Sequence, residues 1–292
     1  MLYIRSKEVE SLKCYKLSGG VVKRIILLIL ALAIPFSAQA SSIGGVYTQG
    51  KGKFSIGLDG EYIFSRKLEK ESMNYGGLFA WEQAIKIQKL YRGAVKLSYG
   101  LTDNLDIYCR LGEAGFNYSR VDMIGGSFFG IWPIWGSAKI KGANAFLWAL
   151  GAKGSYNLAK TWLLGWDAQY LTHTNFYKGN GYVAGPLFGP NHMPISWNGK
   201  MTFNEWHFAP FAAKRIGHFA PYVGGRYSYL QVYDKVRDNT DYPPEQSRRY
   251  HSEDNFGAFC GLDLNLGNHL SMNVEGRFID ETAISFVTAY KF

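Results

Sequence analysis

The chain has 292 residues, of which 16% are aromatic and 34 are glycine, and its formal net charge is +9. Its mean hydropathy of −0.14 excludes a bundle of transmembrane helices. The sequence also lacks any motif of an RNA- or DNA-binding fold, so the positive charge does not indicate a nucleic-acid partner.

The N-terminal region predicts a secretory signal peptide. The basic pair Lys23-Arg24 precedes an apolar run at residues 25–36, and a small-x-small tripeptide that ends at Ala40 follows. This order of elements is typical of a cleaved signal peptide, and the run is short for a membrane span. We expect cleavage between Ala40 and Ser41.

Three segments follow from this interpretation. Residues 1–40 are the signal peptide, residues 41–52 are a Gly- and Ser-rich periplasmic lead-in, and residues 53–292 form one folded domain. The signal peptide carries six basic and two acidic side chains, so only part of the positive charge belongs to the mature chain.

From residue 53 onward, apolar side chains recur at every second position in ten segments. A period of two predicts strands with one apolar face. The predicted strands are residues 54–65, 90–100, 105–112, 146–157, 162–174, 203–214, 219–233, 255–266, 270–279 and 282–292.

The connections between these strands alternate in length. Short turns are predicted at 101–104, 158–161, 215–218 and 266–269, and long connections at 66–88, 115–145, 175–202 and 234–254. The connection at 115–145 leaves two possibilities open. It either extends its neighbours as an outer hairpin or adds two strands, which would give twelve in place of ten.

The last strand carries the most specific pattern in the chain. Ile284, Phe286, Tyr290 and Phe292 share one face, and the chain ends on an aromatic residue. This pattern resembles the C-terminal insertion strand of bacterial outer-membrane β-barrel proteins. Thr288 departs from the resemblance, because an apolar residue is usual at that position.

The resemblance implies an all-β fold: a closed antiparallel transmembrane β-barrel of about ten strands in an up-and-down meander. It implies an integral protein of the bacterial outer membrane with periplasmic termini. Its expected partners are the barrel-assembly machinery during insertion, and outer-membrane lipid and lipopolysaccharide afterwards.

The polar parity of the strands predicts what fills such a barrel. In lipid the strands must close into a ring with apolar side chains outward, so the other parity lines the interior. The predicted lumen charge network is Asp59, Glu61, Arg92, Lys96, Asp106, Arg110, Lys153, Asp167, Glu205, Arg226, Asp263, Glu275 and Arg277. Ten strands lie close to the eight-stranded size whose interior is filled by side chains, so we expect these charges to pair and largely plug the lumen.

Three residues are candidates for catalysis. His173-Thr174-Asn175 resembles the His-Ser-Asn stretch of lipid A deacylases, with Thr in place of the nucleophilic Ser. His251 and Asp280 are predicted near the outer rim, where omptin proteases hold an acidic pair and an Asp–His pair. The sequence predicts no metal site and no cofactor, because its His, Cys and Asp residues lack the spacing of metal ligands.

Two cysteines remain in the mature chain. Cys109 and Cys260 lie on the apolar parity of strands that are distant in sequence, so we expect two small side chains that face lipid. A disulfide between them is the alternative.

The expected function is that of a non-enzymatic envelope protein. Its barrel would be an anchor, and its loops would meet a surface or envelope protein partner. Two alternatives stay open: a narrow pore for small solutes or ions, and a rim hydrolase of the omptin or lipid A deacylase type.

Overall fold

The computed structural model describes residues 44–75, 79–128, 132–186, 193–238, 246–267 and 269–292. The predicted signal peptide and the cleavage site between Ala40 and Ser41 lie outside these ranges. The described residues include no helix that is both long and apolar enough to span a membrane.

Thirteen strands fall within the described residues. They are β1 (Phe54–Lys67), β2 (Glu71–Tyr75), β3 (Phe79–Thr102), β4 (Leu105–Phe128), β5 (Trp132–Gly142), β6 (Ala145–Asn157), β7 (Trp162–Ala184), β8 (Met193–Lys214), β9 (Phe219–Asp238), β10 (Gln246–His251), β11 (Phe256–Leu266), β12 (Leu270–Phe278) and β13 (Glu281–Lys291).

Ten of these strands form a closed antiparallel ring. Its order is β1, β3, β4, β6, β7, β8, β9, β11, β12, β13 and back to β1. The ring closes where the last strand pairs with the first, from Ser55 opposite Lys291 to Arg66 opposite Glu281. The predicted ten-stranded barrel is therefore confirmed, and pairing of the last strand with the first satisfies the backbone groups at the seam.

The other three strands lengthen one side of the wall. β5 pairs with the distal halves of β4 and β7, whereas β6 pairs with their proximal halves. β2 pairs with the start of β3, and β10 pairs with the end of β9. The hairpin of β4 and β5 thus lies in line with β6 and adds no strand to the ring, so the alternative of twelve is wrong.

The outer hairpin left open for 115–145 is confirmed, whereas the predicted loops at 66–88, 175–202 and 234–254 are wrong over part of their length, because they contain strands. β4 continues to Phe128, β7 continues to Ala184 and β8 already begins at Met193. We call this added wall the extension: β2, β5 and β10, the halves of β3, β4, β7 and β9 that pair with them, and the first half of β8, which pairs with those halves of β7 and β9. The rest of the ring is the belt, and the end of the belt where Phe54 and Phe292 lie is the terminal end.

The outer face of the belt is apolar. Its exposed aliphatic and aromatic side chains include Val95, Ile107, Leu111, Leu150, Leu164, Phe208, Val223, Leu262, Val274 and Ile284. Aromatic rings mark both of its borders. Phe54, Tyr290 and Phe292 pack in tilted and edge-to-face contacts at the terminal end, and Trp148, Tyr170 and Trp206 do the same next to the extension. Such a band between two aromatic girdles is the pattern of a barrel surface that faces lipid.

The extension has the opposite polarity. Its interior is an apolar core of Leu68, Ile85, Ile87, Leu90, Phe116, Ala138, Ile140, Tyr177, Met201, Phe203, Leu230, Val232 and Tyr250, which Ile63 and Ala283 of the belt join. Its outward positions are mainly Lys, Ser, Thr and Asn.

On β3 the inward parity changes where the two regions meet. Ile85 and Ile87 point inward before Lys89, and Leu90 and Arg92 point inward after it. Lys89 has a φ of 51°, a left-handed conformation that is uncommon for a non-glycine residue. This irregularity moves the even-numbered charged side chains of β3 into the lumen.

Candidate functional site

The interior of the belt is the candidate site, because the charged residues of the chain meet there. All thirteen residues of the predicted lumen network are buried, with at most 5% of each exposed. Several of them contact partners on strands that are not neighbours in the ring, which places their side chains inside the barrel.

Glu205 on β8 is the centre of this arrangement. Its carboxylate lies 2.8 Å from Arg66 on β1 and 2.8 Å from Arg92 on β3. Arg226 on the neighbouring β9 contacts it at 3.2 Å, and the Ser228 hydroxyl donates to it at 2.8 Å. One carboxylate therefore joins three arginines from three strands.

Glu281 and Glu61 complete the same level. Glu281 contacts Arg226 at 2.6 Å, Arg277 at 3.0 Å and Arg66 at 3.2 Å. Glu61 pairs with Arg92 at 3.1 Å and also with Arg277. We call this level the arginine layer, and its members are Arg66, Arg92, Arg226, Arg277, Glu61, Glu205, Asp280 and Glu281.

The composition of the arginine layer explains how it can be buried. It holds four guanidinium groups and four carboxylates, all at most 4% exposed. Charges removed from water must be paired and hydrogen-bonded, since an unpaired one costs several kcal/mol. Planar guanidinium groups suit this role, because each can contact two or three carboxylates at once.

A second charged level lies nearer the terminal end. Arg110 on β4 holds Asp59 on β1 through two contacts of 2.9 Å and donates to Gln169 at 2.8 Å. Asp167 accepts from the Tyr108 hydroxyl at 2.7 Å and lies 2.9 Å from Nε2 of His207. These contacts link strands across the lumen, between the arginine layer and the terminal end.

Residues 44–52 close the mouth of the barrel at the terminal end. The Val46 amide donates to Asp263 on β11 at 2.6 Å, and the Gln49 amide donates to both oxygens of Asp106 on β4 at 3.0 Å. Gly45 has a φ of 97°, and a Cβ there would lie 2.7 Å from the Asp263 carboxylate. The predicted lead-in therefore lies within the mouth of the barrel from Gly44 to Gln49, whereas Lys51 and Gly52 are exposed.

A small cavity remains between this segment and the wall. It measures about 20 Å³ and is lined by Lys96, Lys153, Lys291 and Asp263 among other residues. That volume is enough for about one water molecule. Lys153 also donates to the Gly45 carbonyl at 3.4 Å, so the segment and the wall contact each other around the cavity.

The three catalytic candidates have separate surroundings. His173 is buried, its Nδ1 lies 2.6 Å from Asn175, and its ring stacks on Phe203. Nδ1 of His251 lies 2.6 Å from the Tyr229 hydroxyl.

Asp280 lies 3.3 Å from Arg226 in the arginine layer. Within the described ranges, neither His173 nor His251 has a carboxylate within ion-pair distance. The same ranges contain no cluster of three His, Cys, Asp or Glu side chains that could hold a metal ion.

Sequence reasoning missed Arg66 and Glu281 as interior residues. On β1, Asp59, Glu61 and Ile63 point inward, and the pairing with β13 then shifts between Ile63 and Ser65. This bulge turns the even-numbered Arg66 into the lumen. A strict alternation cannot reveal such a change, because a bulge inserts one residue into the count.

The predicted insertion strand presents its apolar residues outward. Ile284, Phe286 and Phe292 are exposed, and Tyr290 is half-buried against Phe292. Cys109 and Cys260 are free thiols, so the alternative of a disulfide is not realised.

The interior of the extension holds one polar pair. The Tyr177 hydroxyl donates to Asp234 at 2.6 Å within the apolar core. Burial and the nearby Asp234 carboxylate raise the pKa of the Tyr177 phenol well above its usual value. The phenol is therefore a persistent hydrogen-bond donor to this carboxylate.

The sequence and the structure were compared with those of known proteins. Neither a family model nor a curated protein matches the sequence. The outer membrane protease OmpT from Escherichia coli has a similar structure, with a TM-score of 0.55 over 86% of this chain and 100% of that chain, at 14% identity. The translocator domain of the autotransporter NalP from Neisseria meningitidis covers 93% of this chain and 95% of its own, with a TM-score of 0.42 at 10% identity. The first similarity shows the fold alone, and the second is too low to support an argument. The chain has the fold of an outer-membrane β-barrel protein.

Proposed function

We propose that this protein is a non-enzymatic anchor of the bacterial outer membrane, with a closed lumen and an extension that meets a surface or envelope protein partner. The filled interior is the observation that supports this most directly. From the terminal end inward, the lumen holds residues 44–52, then two charged levels, then the apolar core of the extension. A solute would have to displace paired buried charges to pass.

The proposal includes an orientation, with the termini in the periplasm and the extension outside the cell. The terminal end carries the short turns, at residues 103–104 and 158–161, whereas the opposite end carries the long wall. Short inner turns and long outer connections are typical of barrels that insert from the periplasm. The apolar outward face of β13 supports recognition by the barrel-assembly machinery.

Conductance across a planar lipid bilayer tests the closed lumen. We expect the refolded protein to insert without steady open-channel steps, because the arginine layer crosses the lumen. Steady steps from the wild-type protein would contradict the closed anchor and favour the narrow pore for small solutes or ions.

Labelling of single cysteines in intact cells tests the orientation. In a background with Cys109→Ser and Cys260→Ser, a membrane-impermeant maleimide should label Lys178→Cys in the extension. It should label the matched Lys160→Cys in a terminal turn only after the outer membrane is permeabilised. The reverse result would overturn the orientation.

The contacts of the histidines support the non-enzymatic part of the proposal. Among the described residues, His173 and His251 contact amide, hydroxyl and aromatic groups, and none of these is a carboxylate that would stabilise a histidine cation during catalysis. We expect no turnover of peptides or lipid A by the purified protein. Turnover that is lost in both His173→Ala and His251→Ala would instead identify a rim hydrolase.

A further inference from the structure

The cavity between residues 44–49 and the wall brings three lysines together. Lys96 on β3, Lys153 on β6 and Lys291 on β13 all line it. Lys96 and Lys153 are buried, and Lys291 is half-buried. Ammonium groups repel one another and are costly to remove from water, so a buried cluster of them needs acceptors or negative charge close by.

The carboxylates at this end of the belt accept from other donors. Asp263 lines the cavity and accepts from the Val46 amide. Asp106 is the cross-strand partner of Lys153, yet both of its oxygens accept from the Gln49 amide. Two further carboxylates have the partners given above: Asp59 and Asp167. Among the described residues, no carboxylate lies within ion-pair distance of any of the three lysines.

Lys96 has the least compensated charge of the three. Its Nζ is buried and has no hydrogen-bond partner in the described part of the chain. The Tyr108 ring lies 3.9 Å from this Nζ, and such a cation–π contact offsets only part of the cost of leaving water. Lys153 differs, because it donates to the Gly45 carbonyl at 3.4 Å. A full acceptor for Lys96 must therefore come from within the cavity.

The segment that covers the cavity is adapted to lie close to these charges. Gly44 and Gly45 have φ values of 66° and 97°, which side chains other than glycine rarely allow. A Cβ on Gly44 would overlap the Lys96 ammonium. Ser55 and Ser98 are buried and add two hydroxyl groups to the lining. The cavity is thus surrounded by hydrogen-bond donors on several elements.

We infer that this cavity binds one small monovalent anion of the size of chloride. The volume of about 20 Å³ limits the size, because it admits about one water molecule or an ion only slightly larger. Phosphate and sulfate are too large. Ammonium and hydroxyl groups donate to the anion, and the anion is the acceptor that Lys96 otherwise lacks. This site depends neither on the orientation of the barrel nor on the absence of enzymatic activity.

Bromide tests the position of the anion, because it can replace chloride and is located by its anomalous scattering. Crystals of the refolded protein grown in sodium bromide should show an anomalous peak within hydrogen-bond distance of Nζ of Lys96. Lys96→Met should lack this peak. The matched control Lys160→Met removes an exposed lysine from a terminal turn and should keep it. Wild-type crystals with bromide only on the outer surface would overturn the inference.

Hydrogen exchange of the Val46 amide gives a second readout in solution. The wild type should protect this amide more strongly in sodium chloride than in sodium gluconate at the same ionic strength, because the gluconate anion is too large for the cavity. The chloride concentration that gives half of the gain should rise at least about tenfold in Lys96→Met, since a hydrogen bond to a charged group is lost. It should stay unchanged in Lys160→Met.

Urea resistance separates loss of the anion from loss of the fold. In gluconate, Lys96→Met should resist urea at least as well as the wild type, because it removes a buried charge that has no acceptor. In chloride, the wild type and Lys160→Met should gain resistance, and Lys96→Met should not. If the wild type behaved alike in both salts, or if Lys96→Met kept the full response to chloride, the cavity would hold water and the inference would be wrong.

Discussion

The belt and the extension are built by the same strands, and their polarities are opposite. In the belt, Val223 and Leu262 face outward while Glu205 and Arg226 are buried. In the extension, the outward residues are mainly lysines and small polar side chains, and the interior is the apolar core. The hydrogen-bonded wall thus does not determine what fills it. The solvent outside each level determines whether the outward side chains are apolar or polar. The side chains of the other parity then fill the interior.

The largest effect should come from the charged interior of the belt. Glu205→Ala leaves Arg66, Arg92 and Arg226 without their shared carboxylate, so we expect a loss of about 3–5 kcal/mol in the free energy of unfolding. Urea unfolding in phospholipid vesicles, followed by tryptophan fluorescence, measures it. The control Glu253→Ala, whose pair with Lys67 is exposed, should cost less than about 1 kcal/mol. Equal stability of both variants would show that the arginine layer does not hold the belt together.

The apolar interior of the extension should respond to a loss of volume. Leu230 is fully buried there, so Leu230→Ala should cost about 2–5 kcal/mol through the lost contacts and the cavity. Because this core lies outside the belt, protease cleavage between β9 and β10 should increase while heat-resistant migration on gels persists. Thr202→Ala, an outward change at a similar height, is the control. If the variant lost the structure of the belt and of the extension together, the prediction that the two regions unfold separately would be wrong.

The outward face provides a third comparison. Val223→Arg puts a charge on the apolar face of the belt, where an arginine near the bilayer midplane costs about 2–4 kcal/mol. Ser196→Arg puts the same charge on the outward face of the extension, opposite the uncharged Asn180, and should cost little. Unfolding in vesicles of both variants, side by side, checks the reversal of polarity. Similar losses in the two variants would place lipid against both regions.

The smallest effect should be a pH dependence from the extension. The pKa of Tyr177 is raised in the folded protein, so its stabilising contribution is complete below the unfolded pKa of about 10 and is lost as the pH rises further. Tyr177→Phe removes the donor to Asp234 and should cost about 1 kcal/mol at neutral pH. It should also lose less stability than the wild type between neutral and alkaline pH. A parallel decline of both proteins would assign the alkaline effect to other tyrosines.

The belt could be predicted from the sequence because its polarity is the one expected for a membrane strand. Apolar residues at every second position, such as Leu262 and Leu264, identified β11 and its neighbours directly. Apart from the outer hairpin left open at 115–145, the sequence predicts loops for the extension, because its alternation is inverted. Ala138 and Ile140 point inward and Lys139 and Lys141 point outward, a strand pattern typical of a water-exposed wall.

The other interior residues could not be predicted, because their positions depend on contacts between residues that are distant in sequence. Arg66 enters the arginine layer through a bulge in the pairing of β1 with β13. The sequence predicts only a periplasmic lead-in at residues 41–52, because this glycine- and serine-rich segment has no strand period. Their position is determined by Asp106 and Asp263, which are distant in sequence and meet only through the ring.

The strands of those two carboxylates, β4 and β11, lie five steps apart in either direction around the ring. The amides of Gln49 and Val46 therefore span the barrel from one side to the other. Only a completed cylinder offers both acceptors at this distance, so residues 46–49 can dock only after the final hairpin of the chain has joined. The time at which these two amides become protected from hydrogen exchange would then mark the last step of barrel assembly.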